Sequence, residues 1–264
     1  MSATYTIRPL KVGEFLTHEK STLTLLYGFG EKLRTPITMW LIQGNGKNII
    51  VDTGLGDNEW CIKYHHPTFQ DETTAPLNAL KNVGLTPDDI DFVINTHLHW
   101  DHCFNNYLFK GKKMYVQKKE LEFAMNPLPC QSLYYESSLI GMTPAFMKVL
   151  DDFVTVDGDV SLCDGIDLVF LPSHTPGSQG VLVNTVDGKY LIAGDAIGSY
   201  ENWYGSDGYI DGKLPHTHIL PAIHVDLEAC QASYGKIEKL ADHVLPGHDM
   251  KVYDHMVYPP EAEK

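Results

Sequence analysis

The chain is poor in basic charge and in cysteine, and it has no long apolar run. Lys and Arg number 20 against 34 Asp and Glu, which gives a net charge of −14 with His neutral. Such a surface repels phosphate backbones and anionic membranes, so neither nucleic acid nor a membrane is an expected partner. The five cysteines, Cys61, Cys103, Cys130, Cys163 and Cys230, are odd in number and lack paired spacing. That argues against a disulfide framework. No apolar stretch approaches the ~18 residues of a membrane span. The opening residues show no basic segment leading into an apolar one, so no signal peptide is expected. Together these absences predict a cytoplasmic protein with free thiols. No low-complexity segment or linker divides the 264 residues, and one domain over 1–264 is expected.

What is present is a set of short apolar strands with polar ends. Pro36–Gln43 and Lys47–Asp52 flank the turn Gly44-Asn45-Gly46 and read as a hairpin. Phe92–Thr96, Lys113–Gln117, Phe153–Val156, Asp167–Leu171, Gly180–Thr185, Lys189–Ala193 and His243–Pro246 read as further strands. Helical spacing covers Pro76–Val83, Lys118–Met125 and Asp226–Leu240, the last with Asp226 as N-cap. Residues 57–73, 127–143 and 198–223 have no clear period and read as loops. Strand-rich blocks on both sides of the midpoint, each with helices, predict two packed sheets with helices outside.

One stretch concentrates the chemistry. Thr96-His97-Leu98-His99-Trp100-Asp101-His102-Cys103 follows a buried strand and holds four metal-binding side chains within six residues. Imidazole and carboxylate suit borderline divalent ions such as zinc, and an ordinary polar turn has no need of this clustering. Three later strand ends repeat one pattern, a strand followed by Gly or Pro and a ligand-type side chain. They deliver His174 in Ser173-His174-Thr175-Pro176-Gly177, Asp195 in Gly194-Asp195, and His248 in Pro246-Gly247-His248-Asp249. Each of these alone is a weak signal, because a lone His after a strand is commonly structural.

Taken together, these motifs and Asp52-Thr53-Gly54 resemble the metallo-β-lactamase superfamily, and within it the N-acyl-homoserine lactonase group. The resemblance implies an α/β fold, an αβ/βα sandwich of two mixed sheets with the site at the sheet edge. It implies two divalent metal ions per chain, with zinc the expected identity. His97, His99 and His174 would hold one ion, Asp101, His102 and His248 the other, with Asp195 bridging and Asp52 orienting a ligand His. It implies a hydrolase that opens a lactone or similar ester with a metal-bridging hydroxide, a quorum-quenching activity in that group. Asp101 would shuttle the proton to the leaving oxygen. The group carries a Tyr three residues after the bridging Asp; here that position is Gly198, and the nearest phenol is Tyr200. Tyr200 is therefore the expected catalytic phenol.

The expected partner is a small-molecule substrate, and a homodimer is compatible with the sequence. His224 and Tyr204 are the expected substrate contacts, His216 and His218 lesser ones. Trp60, Phe69, Tyr134 and Tyr135 are available for an apolar pocket. His18, His65 and His66 read as exposed or loop-packing, and Cys103 as a buried structural thiol. Three other readings compete. A glyoxalase II-type thioester hydrolase has a similar motif set but carries a C-terminal helical domain, which the residues after His248 do not supply. A mononuclear-iron persulfide dioxygenase uses a smaller ligand set. A non-catalytic binding protein would leave seven ligand groups without use.

Overall fold

The computed structural model describes residues 3–205 and 218–260. The first sheet contains β1 (Thr6–Glu19), β2 (Lys32–Gly44), β3 (Lys47–Val51), β4 (Thr68–Phe69), β5 (Phe92–Ile94), β6 (Lys113–Gln117) and β7 (Phe153–Val156). Their spatial order is β4-β1-β2-β3-β5-β6-β7. The second contains β8 (Val160–Cys163), β9 (Ile166–Phe170), β10 (Gln179–Thr185), β11 (Gly188–Ile192) and β12 (His243–Leu245), in the order β12-β11-β10-β9-β8. Both sheets are mixed. β3, β5, β6 and β7 run parallel, as do β11 and β12, while the remaining pairs are antiparallel.

The layering follows from strand period two. Along β2, Trp40 and Ile42 face the second sheet, while Met39 and Leu41 face outward into a separate core. Ile49 and Val51 in β3 face inward and Ile50 outward. In the second sheet Val181, Val183, Tyr190 and Ile192 face inward, and Leu182 and Leu191 outward. A strand that is apolar on both faces must be covered on both. The outer cover comes from α1 (Asn58–Tyr64) and α2 (Pro76–Asn82) on the first sheet, through Cys61, Ala79 and Leu80. The short helix α3 (Trp100–Cys103) follows the His-rich loop, and α4 (Lys118–Met125) follows β6. On the second sheet, beyond α5 (Tyr200–Tyr204), α6 (Leu227–Leu240) lays Tyr234 and Ile237 on the outward residues. The Asp226 carboxylate caps α6 by accepting the Ala229 N–H at 2.8 Å. The architecture is the expected αβ/βα sandwich.

Several elements differ from the sequence reading. β1 is a fourteen-residue strand that pairs along most of β2, yet Pro9, Gly13 and its charged residues break any simple alternation. It shifts register twice, between Lys11 and Gly13 and between Phe15 and His18. The segment 57–73 is not wholly loop: α1 and β4 lie in it. β8 occupies Val160–Cys163, and α5 lies at the start of the segment 198–223. Tyr209 and His216 fall outside the described residues. Among the described residues no helix is long and apolar enough to cross a membrane.

Ile7 tests whether β1 is integral to the inter-sheet core, where it is fully buried. Ile7→Ala should lower unfolding stability by about 2–5 kcal/mol, read as a fall in the urea midpoint at unchanged m-value. An unmoved midpoint would show that β1 is an appendage.

Candidate metal centre

Each metal-binding side chain sits just past a strand end, and sheet register explains why they meet. Ile192 of β11 pairs with Leu245 of β12, so Asp195 and His248 each lie three residues beyond a matched pair. Val51 of β3 pairs with Ile94 of β5, which sets Asp52 beside the start of the His-rich loop. Gly247 makes the approach possible, since a Cβ there would lie 2.8 Å from Asp195 Oδ1 and 2.9 Å from the Gly194 carbonyl.

The structure brings together all seven residues expected to bind metal. Three overlapping clusters form, His97–His99–His174, His97–His102–Asp195 and Asp101–His102–His248, each with ligand atoms within 4.8 Å of one another. Asp195 lies in the middle. Its Oδ1 is 3.0 Å from His248 Nε2 and 3.2 Å from His102 Nε2, and its Oδ2 is 3.5 Å from His174 Nε2. Asp101 Oδ2 is 3.6 Å from both His102 Nε2 and His248 Nε2. Despite this crowding, His97 Nε2, His99 Nε2, His102 Nε2 and Asp195 Oδ1 are buried without a hydrogen-bond partner among the described residues. Buried polar atoms are normally paired, and leaving them unpaired is costly. Convergent imidazole and carboxylate groups, short of partners and two clusters deep, fit two divalent ions.

A ring of hydrogen bonds orients these ligands from behind. His102 Nδ1 lies 2.8 Å from Asp52 Oδ2. The same carboxylate accepts the Thr96 N–H at 2.8 Å and the Thr96 hydroxyl at 2.7 Å. Asp52 itself has φ 57°, a left-handed conformation uncommon for a non-glycine residue. His174 Nδ1 donates to the Ile223 carbonyl at 3.0 Å, and His248 Nδ1 donates to the Pro36 carbonyl at 3.0 Å. Fixing the proton on Nδ1 leaves the Nε2 lone pair for a cation. Burial, then the neighbouring His102 and His99, hold His97 well below the usual histidine range. Burial and His174 do the same to His99. Burial opposes charge on His102 too, but Asp195, Asp101 and Asp52 outweigh it and hold that ring well above the usual range. Burial would raise Asp195, yet His248 and His102 keep it well below the usual carboxylate range.

A model of the metallo-β-lactamase superfamily matches residues 34–251. The chain belongs to that superfamily. An N-acyl homoserine lactonase of Bacillus thuringiensis is 28% identical over 187 residues, covering 66% of this chain and 69% of the relative. A probable metallo-hydrolase of Methanocaldococcus jannaschii is 31% identical over 205 residues, covering 78% and 72%. Among solved structures, an N-acyl homoserine lactone hydrolase with the product N-hexanoyl-L-homoserine at its catalytic metal centre superimposes with a TM-score of 0.69. It is 22% identical and covers 96% of each chain.

The superfamily centre opens into a pocket whose walls are not all where the sequence suggested. Tyr134 lines it, its ring 5.2 Å from His99. Tyr200 does not. Its N–H donates to Asp249 at 2.9 Å, its ring packs with the inter-sheet core and stacks on Tyr204 at 6.0 Å, and both phenols line a neighbouring groove. Burial, and then Tyr258, raises the Tyr200 phenol above its ordinary value. Gly198 does line the pocket, and a Cβ there would press on Leu23 at 3.3 Å. Leu23, from the turn after β1, thus occupies the space beside Gly198. His224 is turned onto the Pro221 and Ala222 carbonyls, while its neighbours Pro221 and Ile223 form pocket wall. His218 stacks on Trp203 at 4.3 Å. Cys103 donates to the Leu98 carbonyl and belongs to none of the ligand clusters.

Sequence reasoning missed Glu120. It is fully buried, and it joins the two ligand loops. Its Oε1 accepts the Leu98 N–H, between His97 and His99, and the Tyr135 hydroxyl, both at 2.9 Å. Its Oε2 accepts the Thr175 hydroxyl, next to His174, at 2.6 Å. In sequence Glu120 is one charge among several in a short helix, so only three-dimensional placement reveals it. Burial raises its carboxyl above the ordinary value despite the hydrogen bonds from Thr175 and Leu98. Glu120→Ala should weaken metal affinity about ten- to a hundredfold in competition with a chelator. Unchanged affinity would show that the loops hold their ligands without it.

Proposed function

We propose that the chain is a dinuclear metal-dependent hydrolase that opens a lactone or a closely similar ester, with zinc as the native ion. The observation that carries this is a complete seven-residue ligand set, buried and short of partners, at the floor of an open pocket. A structural metal site would be closed on all sides. When bound, two ions supply Lewis acidity and a water acidic enough to attack a carbonyl near neutral pH.

The protein's own groups do the rest. Asp195 belongs to the middle of the three ligand clusters and, ionised, holds the outer two together. Asp101 is buried and lines the pocket, with Oδ2 3.6 Å from both His102 Nε2 and His248 Nε2. There it takes the proton of the attacking water and delivers it to the leaving oxygen, which in a lactone is a poor leaving group unless protonated. Among the described residues Tyr134, not Tyr200, is the tyrosine on the pocket wall, which makes it the phenol available to the reacting carbonyl. Phe15, Leu23, Trp100, Pro221 and Ile223 exclude water from the rest of the pocket and suit an apolar substrate body. The likeness to N-acyl homoserine lactonases favours a lactone substrate, and the donor set favours borderline ions over hard ones.

A panel of lactones, thioesters and β-lactams tests the reading, with turnover of lactones expected. Thioester hydrolysis without lactone turnover would replace it with the thioesterase reading. Asp101→Asn, assayed with zinc in excess so that both sites are filled, should lower kcat by about 10²–10⁴-fold, the range for loss of a proton-transfer group. A variant with unaltered kcat would remove Asp101 from the mechanism.

A further inference from the structure

β1 crosses the pocket mouth with an irregularity that has a chemical result. Phe15 pairs with Thr35, but His18 pairs with Leu33, so three steps along β1 answer two along β2. In a regular strand, residues three apart point to opposite faces. The extra residue cancels that alternation, and Phe15 and His18 both line the pocket, with rings 4.9 Å apart. Bulges of this kind re-aim side chains beside functional sites.

His18 is also held in place. Its Nδ1 shares a 2.9 Å hydrogen bond with the hydroxyl of buried Thr35. Its ring stands 6.2 Å from that of His248 and 6.4 Å from that of His66, which is exposed at the mouth. Nδ1 is therefore occupied, and among the described residues no hydrogen bond takes Nε2. The ring stands beside the ligand His248 but belongs to none of the ligand clusters among the described residues, which places it to meet a substituent of the substrate. Apart from the ligands Asp101 and Asp195, no carboxylate, Lys or Arg is among the described residues lining this pocket. A group bound there meets dipoles and apolar walls, which suits an uncharged polar group.

We infer that His18 is a specificity-determining residue, aimed by the β1 bulge and fixed by Thr35, whose Nε2 hydrogen-bonds an amide substituent carried next to the scissile ester. An amide is uncharged and offers both a donor and an acceptor, so it can satisfy either tautomer of the ring. Apolar Phe15 and Trp100 then flank the remainder of that substituent. The inference rests on the lactone-hydrolase reading and deepens it.

The test compares two lactones of equal ring size, one bearing an N-acylamino substituent and one bearing only an alkyl chain, on the metal-loaded protein. His18→Phe keeps a ring of similar bulk without nitrogen. It should lower the preference for the amide substrate, expressed as a ratio of kcat/KM values, by about tenfold, mainly through KM. His18→Asn should restore part of that preference. Thr35→Val, which frees Nδ1, should shift the ratio in the same direction and provides a second reading if His18→Phe does not fold. Equal losses on both lactones, or a ratio unmoved in the folded variants, would overturn the inference alone. Failure of the wild-type protein to hydrolyse either lactone would remove the lactone reading and the inference with it.

Discussion

Buried polar atoms left without partners on the ligand residues set the main physical constraint on this protein. Among the described residues, no hydrogen bond satisfies His97 Nε2, His99 Nε2, His102 Nε2 or Asp195 Oδ1. In a low-dielectric interior that arrangement is unfavourable unless a cation completes it. The surrounding structure keeps the groups from relaxing away. Asp52 holds Thr96 and His102, Glu120 holds Leu98 and Thr175, and backbone carbonyls at Pro36 and Ile223 hold His248 and His174. These contacts reach into both sheets, so the site and the sandwich depend on each other.

The two sheets supply different parts. The first delivers His97 and His99 from the loop after β5 and Asp101 and His102 from α3 behind it, with Asp52 after β3 as their anchor. The second delivers His174, Asp195 and His248 from three separate strand ends whose registers coincide. A small slip between β11 and β12 would part Asp195 from His248. The inter-sheet core of Ile, Val and aromatic side chains fixes that register, because a one-residue slip turns apolar side chains to the wrong face.

Much of this was legible in the sequence because ligand chemistry and strand ends coincide. The His-rich loop stands out by clustering, and the distant ligands follow apolar runs that alternate or stay continuous as buried strands do. β1 was not legible: Pro9, Gly13, two register shifts and interspersed charges hide a strand that its pairing with β2 makes plain. α1 buries a single side chain, Cys61, so its seven residues carry no readable period, whereas α2 buries Pro76, Ala79 and Leu80 at helical spacing. His18 read as a loop residue because nothing in sequence reveals a bulge. Tyr200 drew interest by its spacing from Asp195, but Ser199 and Asn202 cap a short helix there, and that helix turns the phenol into the neighbouring groove. Glu120 was invisible for a more general reason. A buried charge is defined by its donors, and the donors at Leu98, Tyr135 and Thr175 lie far away along the chain.

On the proposed reading the ligand set forms one dinuclear centre and not a mononuclear site with spare histidines. The most direct test is the metal content per chain of protein purified, stripped and re-equilibrated with zinc, measured by elemental mass spectrometry against protein concentration. A dinuclear centre should hold close to two ions per chain, one for each end of the overlapping ligand clusters. A single tightly bound ion, or native iron with oxygen consumption, would contradict it.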